Sequence, residues 1–296
     1  MSKSNKKRVA SGRELGLVLM QQLMDTEDLH YGLWSEGLEL SLANVAQAQQ
    51  NYTNMLLDLL PAPTAEDGPI RVLDIGCGTG HFMEQLDEKG YRVDGVVPSE
   101  AFSQAARERM VARGNTASKV FECPFQDMPT PDSTERYDVA IFSESFQYIP
   151  MDACFAKLDT VVKPGGMVIV SDFFRTGAYA EGDPGSNSFR GGKLIDAFYK
   201  TIETSPFSIE SDRDITKLVS PGLDLFNDLL MNRLRPAGIS IGKFMQARRP
   251  FLSWLIAKLF RKKFERVKYK YFSGLRCAST FERYKVYRVV VLRKAA

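Results

Sequence analysis

The run Val72-Leu73-Asp74-Ile75-Gly76-Cys77-Gly78-Thr79-Gly80 constrains this chain more than any other stretch. It is an apolar strand carrying an acid near its end, then a turn with glycine at every second position, then a helical pattern opening near His81-Phe82-Met83. Glycine lets a backbone turn tightly and approach a ligand with no Cβ in the way, and a helix start offers unsatisfied N–H groups to an anion. A glycine-rich turn alone equally suits a dinucleotide. Asp74 shifts the balance. A zwitterion places its carboxylate at the N–H groups and its ammonium near Asp74, whereas a pyrophosphate gains nothing from a carboxylate there.

Strand-like segments recur downstream at 92–97, 120–123, 139–142 and 167–171, with helical stretches between them. The segments at 70–75 and 167–171 are near-continuous apolar runs, as expected of strands covered by helices on both faces. A short sixth strand is predicted at 206–209 and a last one, rich in Tyr and Val, at 283–293. The expected fold is α/β: a doubly wound, mostly parallel seven-stranded sheet with an N-terminal helical lid and a helical cap inserted before the last strand. The corresponding boundaries are 1–14 for a flexible basic tail, 15–62 for the lid, 63–213 for the core, 214–273 for the cap and 274–296 for the last strand. Residues 177–192, rich in Gly and Ser, read as a mobile loop at the ligand edge.

Composition narrows the chemistry. A formal net charge of +3 over 296 residues is too small to imply nucleic acid, and DNA is not an expected partner. Cys77, Cys123, Cys154 and Cys277 are widely spaced, and His30 and His81 are the only histidines, so no metal site and no His-based triad is expected. The cysteine usage reads as a reducing cytoplasm. Either histidine, though close to a motif, reads first as a structural or surface residue. No apolar stretch is long enough to span a membrane.

The 72–80 turn resembles motif I of the class I, Rossmann-like S-adenosylmethionine (SAM) dependent methyltransferases. Tyr137-Asp138-Val139-Ala140-Ile141-Phe142 resembles that family's fourth strand, and Val162-Lys163-Pro164-Gly165-Gly166-Met167 the turn entering its fifth. The resemblance implies SAM as cofactor, with Asp74, Gly76, Cys77 and Gly78 at its amino-acid end and Ser143 near the methionine moiety. It implies adenine recognition at Phe125 and Gln126, although Phe125 equally suits the core. The family usually holds the ribose with an acid at the end of the second strand. Here Val97 occupies that point, Asp94 falls too early, and Ser99 or Glu100 is left as a substitute.

Methyl transfer from a sulfonium is an in-line displacement, so a protein mainly aligns the partners, excludes water and handles an acceptor proton. Glu144 is the candidate base, or else a group that orients the cofactor; Tyr148 is a polar aromatic beside it. The segment lacks the Asn/Asp-Pro-Pro-Tyr arrangement of relatives that methylate amide or base nitrogens. Asp28-Leu29-His30-Tyr31-Gly32-Leu33-Trp34 resembles the lid of members that methylate sterols, tocopherols and related small molecules, which adds His30 as a catalytic candidate and Tyr31 as a cofactor contact. Tyr31 and Trp34 either face the sulfonium or form a packing motif. In the insertion, Phe251, Leu255, Leu259 and Phe264 recur at helical spacing among many cations, which suits either an anionic membrane surface or a cap helix with a solvated face. The expected substrate is a small apolar acceptor of isoprenoid, polyketide, quinone or lipid type. The alternatives are an RNA methyltransferase using the basic helix, and a catalytically idle binding protein on the same fold.

Overall fold

The computed structural model describes residues 26–28, 30–63, 68–179, 183–189 and 191–296; the basic tail and the first part of the expected lid lie outside the described residues. Seven strands form one sheet: β1 Arg71–Ile75, β2 Arg92–Val96, β3 Val120–Phe121, β4 Tyr137–Ser143, β5 Val162–Arg175, β6 Phe207–Asp214 and β7 Lys285–Lys294. Their spatial order is β3-β2-β1-β4-β5-β7-β6. The first five are parallel, and β7 runs antiparallel to both β5 and β6. This is the doubly wound α/β arrangement expected from the sequence.

Every residue of β1 is buried, because helices cover both faces of the sheet. One face packs Val72, Ile141, Ile169 and Tyr287 with Tyr52 of the helix Val45–Leu57. The other packs Leu73, Phe142, Phe146 and Phe198. Asp94 is a structural acid of β2: it accepts from the Tyr137 hydroxyl at 2.9 Å and the Lys119 N–H at 2.8 Å. Strand order reverses between β1 and β4, and a crevice opens where two strands lead their connections to opposite sides. The loops after β1 and β4 meet there.

Four expectations need correction. The described part of the lid is irregular from 26 to 41 and becomes helical only at Leu42, because its partners are backbone groups of other segments: Leu33 N–H donates to Ala48 O and Trp34 N–H to Leu218 O, each at 2.7 Å. The 177–192 stretch is not simply a loop. It contains a helix, Pro184–Ser188, capped by Asp183, and Gly185 sits so close to Tyr284 that an added Cβ would lie 2.7 Å from its ring. β6 extends to Asp214 rather than ending at 209, and its polar residues are tolerated because it is the edge strand.

The fourth correction concerns the cap. From Pro221 the chain is helical through Arg248, with a π-helical turn, Leu229–Leu234, immediately before Pro236. Proline has no N–H to give the preceding turn and its ring crowds the carbonyl four residues back, so the helix widens there. A second helix, Pro250–Phe272, folds back from Arg249 and returns to the base, where Gly274 lies beside Met231. The principal contacts of this hairpin with the body are at the π-turn and the helix Pro184–Ser188. Its apolar side chains do not pack onto the crevice: Phe251 is 72% exposed and Leu259 69%.

Candidate functional site

The floor of the crevice is the turn after β1. Gly76 (φ 88), Gly78 (φ 54) and Gly80 (φ 83) all adopt left-handed conformations that other residues resist. At Gly76 space is short as well, since an added Cβ would fall 2.4 Å from Ser145 Cβ. The Gly76 and Cys77 N–H groups are both directed at Val96 O, at 2.8 and 3.4 Å, which ties the turn to β2. Cys77 is buried and its thiol is pushed up by burial, so it forms the underside of the turn. Among the described residues, the N–H groups of Gly78 and Thr79 have no hydrogen-bond partner. Asp74 is 2% exposed, and its Oδ2 has no partner either. Burial pushes the Asp74 carboxyl up to about 7, against the pull of a positive His30.

Opposite the turn, the end of β4 carries Ser143 and Glu144. Glu144 is the one non-glycine residue with positive φ among the described residues, at 54°. That strain aims its carboxylate at the N-terminal segment, where Oε1 accepts from the Tyr31 N–H at 2.7 Å and from the Tyr287 hydroxyl at 3.0 Å. Burial raises the Glu144 carboxyl above its ordinary range, against His30 and these two donors. The Tyr287 hydroxyl, whose one hydrogen goes to Glu144, also lies 2.9 Å from the Tyr52 hydroxyl, and Tyr52 donates to Ser171 Oγ at 2.7 Å. Ser143 Oγ is 3.4 Å from Tyr52. A chain of hydroxyls therefore runs from β5 through the helix Val45–Leu57 and β7 to Glu144.

The N-terminal segment is fastened at a second point. Asp28 Oδ1 stands 2.9 Å from His81 Nδ1 and 3.5 Å from His30 Nε2, so the two histidines of the chain share one carboxylate oxygen. Burial of Asp28 is outweighed by these partners, which hold its carboxyl well below the usual range, and both imidazoles are raised. The His30 ring lies 4.4 Å from that of Tyr52, and its Nδ1 is 2.9 Å from Tyr31 O. Gly32 permits this closeness: an added Cβ there would meet Ala48 Cβ at 2.6 Å. The Tyr31 ring then joins Phe173 and Phe281, each with its centroid 6.3 Å away, in an aromatic wall. Lys285, itself buried, completes it; its amine, 5.4 Å from the Phe173 ring, is brought down to about 7 by burial, with Arg175 adding to the effect.

The crevice thus gathers Asp74, Gly76, Gly78, Ser143, Glu144, His30 and Tyr31 from the sequence candidates. Others stand apart. Ser99 Oγ accepts from the Phe102 N–H at 3.3 Å and caps the helix Glu100–Ala112. The Phe125 side chain is core, edge-on to Phe142 at 5.8 Å, while Gln126 beside it is half-buried. Tyr148 is 55% exposed. Trp34 turns away from the crevice and packs with Val45, Ala48 and Leu225, close against Gly222. Tyr52, Ser171 and Tyr287 escape a reading of the sequence because nothing local marks them: Tyr52 and Tyr287 lie 235 positions apart. Asp28 opens the lid motif, but no pattern links it to His81.

A polar cleft of about 520 Å³ lies on the outer side of His81, lined in part by Glu27, Gln50, Asn54 and Arg109. Glu27, His81 and Glu84 bring one ligand atom each within 4.8 Å of one another there. Arg109 pairs with both glutamates and Asp28 with His81, so the cluster is already neutralised internally.

Residues 73–170 match the family model of a methyltransferase domain, which bears out the resemblance to class I methyltransferases over that segment. The sterol 4-C-methyltransferase of Caenorhabditis elegans is 34% identical over 37% of this chain and 33% of that protein. The chain therefore spans only about a third of that relative's length. Methyltransferase GfsG of Streptomyces halstedii is 25% identical over 74% of this chain and 81% of its own. Among solved structures, geranyl diphosphate C-methyltransferase from Streptomyces coelicolor A3(2), with Mg2+, geranyl diphosphate and S-adenosyl-L-homocysteine bound, superposes with a TM-score of 0.64. It covers 90% of each chain at 15% identity, a likeness of fold.

Proposed function

We propose that this chain, which carries a class I, Rossmann-like methyltransferase domain, transfers a methyl group from SAM to a small, largely apolar acceptor. The observation that carries the reading is Asp74: a carboxylate sealed from water, with one oxygen unpartnered, beside a turn whose Gly78 and Thr79 N–H groups are also unpartnered. Leaving the buried Asp74 oxygen unsatisfied costs about 1–3 kcal/mol, so the carboxylate and the open N–H groups beside it fit a ligand that satisfies them. The ammonium and carboxylate of the amino-acid end of SAM do so. When bound, SAM supplies an electrophilic methyl on sulfur.

The chain's own groups bind, orient and exclude water. Asp74 holds the ammonium, directly or through water, and the glycine turn holds the carboxylate. With Val97 buried and Ser99 engaged as a helix cap, the exposed Glu100 in the first helical turn is the better placed acid for the ribose. Gln126 is left as the polar group for the adenine. Tyr31, His30 and Glu144 form the lid contact that closes the crevice to solvent, and Glu144 acts first as the lid's fastening because both donors to Oε1 come from the lid and β7. Tyr31, backed by the buried Phe173 and Phe281, offers the acceptor an apolar aromatic surface, which supports the isoprenoid, quinone, polyketide or lipid class. The named sterol and geranyl diphosphate methyltransferases support the same class.

Calorimetry with SAM and S-adenosylhomocysteine tests this. Both should bind, Asp74→Ala should weaken binding about a hundredfold, and affinity should fall as the pH drops below about 7, where Asp74 takes up a proton and loses its attraction for an ammonium. Absence of binding by either ligand would leave the fold to a non-methylating binder.

A further inference from the structure

The hairpin Arg235–Arg248 and Pro250–Phe272 is built unlike the rest of the molecule. The first helix has no buried residue, and Ile241, Phe244, Phe251, Trp254 and Leu259 are each more than half exposed. So many exposed large apolar side chains on one hairpin mark an interaction site. Charge says what kind. Residues 235–272 contain eleven Lys and Arg against one acid, Glu265, which is itself paired to Arg261 at 3.0 Å. Since the whole chain carries only +3, the remainder is net acidic. An anionic surface therefore attracts the hairpin and repels the body.

We propose that the hairpin is a peripheral anchor that seats this protein on an anionic bilayer. Its cations meet the headgroups, while its aliphatic and aromatic side chains enter the boundary with the acyl chains. Two pairs show the interfacial pattern directly: Arg248 over the Phe244 ring at 5.7 Å and Lys258 over the Trp254 ring at 4.8 Å, each a charged head beside an apolar body. The hairpin lies on the bilayer, since no helix among the described residues is long and apolar enough to cross one. A second copy of the chain is the poorer occupant, because two such cationic surfaces repel. RNA would satisfy the cations but leave Ile241, Leu252 and Leu259 in water.

The root of the hairpin adjoins the candidate acceptor wall. Tyr269 donates to Pro184 O at 2.9 Å, and Phe189, just beyond that helix, packs edge-on to Phe281 at 5.3 Å. Anchoring would thus bring the wall of Tyr31, Phe173 and Phe281 close to a lipid-dissolved acceptor, a consequence that rests on the methyltransferase reading, whereas the anchor itself does not.

The 296-residue chain should float with vesicles of phosphatidylcholine containing about 30% phosphatidylserine and not with phosphatidylcholine alone at moderate salt. Each basic residue near such a surface is worth about fivefold in partitioning, so the quadruple variant R261Q/K262Q/K263Q/R266Q should bind more than about a hundredfold more weakly. Trp34 is buried and Trp254 exposed, so in a Trp34→Phe background the emission of Trp254 should shift to the blue on binding. These substitutions fall at exposed hairpin positions, apart from Trp34→Phe, and circular dichroism and SAM calorimetry check that each variant is folded. Equal binding to both vesicles, or to neither, overturns the anchor. So does salt-sensitive retention on RNA without a Trp254 shift, or concentration-dependent self-association abolished by F251S/W254S. Vesicle binding by a chain that binds no SAM upholds the anchor and refutes the function proposed above.

Discussion

The sheet body and the hairpin use the same apolar residue types to opposite ends. In the body, Phe146 is fully buried and meets Phe142, Phe155, Phe174 and Phe198 within 6.3 Å, because two sheet faces and their helices supply partners on every side. In the hairpin, the one ring beside Phe251 among the described residues is that of Trp254, at 6.0 Å, and Phe251 remains open. The body also keeps its charges mixed and paired, as where Arg109 and Arg113 bind Glu84, while the hairpin concentrates one sign. A region that neither buries its apolar groups nor balances its charge within the chain is the place to look for a partner outside it, which is the ground for the proposed anchor. The lesson is that burial, read together with charge, separates residues that hold a fold from residues that hold a partner.

That contrast can be broken most sharply at the two phenylalanines. Phe146→Ala should destabilise the protein by about 3–5 kcal/mol, the usual cost of emptying a core aromatic, whereas Phe251→Ala should change stability by no more than about 0.5 kcal/mol. Chemical denaturation measures both, and a comparable loss at Phe251 would mean that the hairpin packs within the chain after all. The glycines make a second pair. At Gly76 a methyl group meets Ser145 in a left-handed backbone, so Gly76→Ala should cost about 2–4 kcal/mol. Gly242 lies in a helix interior with nothing within 4 Å of an added Cβ. There Gly242→Ala should leave thermal stability unchanged or raise it by up to about 1 kcal/mol.

The smallest expected effect lies within the crevice. Glu144→Gln keeps an oxygen for the Tyr31 N–H, so turnover of methyl-labelled SAM should fall less than about threefold if Glu144 fastens the lid, and Glu144→Ala should fall much further. A loss of about a hundredfold or more in Glu144→Gln, with a changed pH profile, would make it the base instead.

Much of the body was legible because its periodicity is local. β1 and the centre of β5 announce themselves as apolar runs, and the glycines after β1 announce a left-handed turn. β6 does not, since an edge strand can be made of Ser, Glu, Asp and Arg whose side chains face water. In the site, Asp74 and Glu144 are legible from their places at strand ends. The fastening of the lid is not, because Asp28 meets His81 and Tyr52 meets Tyr287 only after the sheet has brought distant segments together. Trp34 shows the converse: its motif is clear in the sequence, but only packing reveals that it faces Gly222 rather than the crevice.

The position of β7 carries a consequence for how the protein is made. β7 is inserted between β5 and β6, antiparallel to both, although the whole of 215–284 separates it from β6 in the chain. During synthesis on the ribosome, the facing edges of β5 and β6 stay unpaired until that entire insertion has emerged. Open edges of this kind invite wrong pairing, and long-range closure is slow. The slot also decides the chemistry's timing, since Tyr287, which reaches Glu144 and Tyr52, arrives with that strand. A nascent chain halted before residue 285 would have its glycine turn but lack the hydroxyl that joins the lid to the sheet.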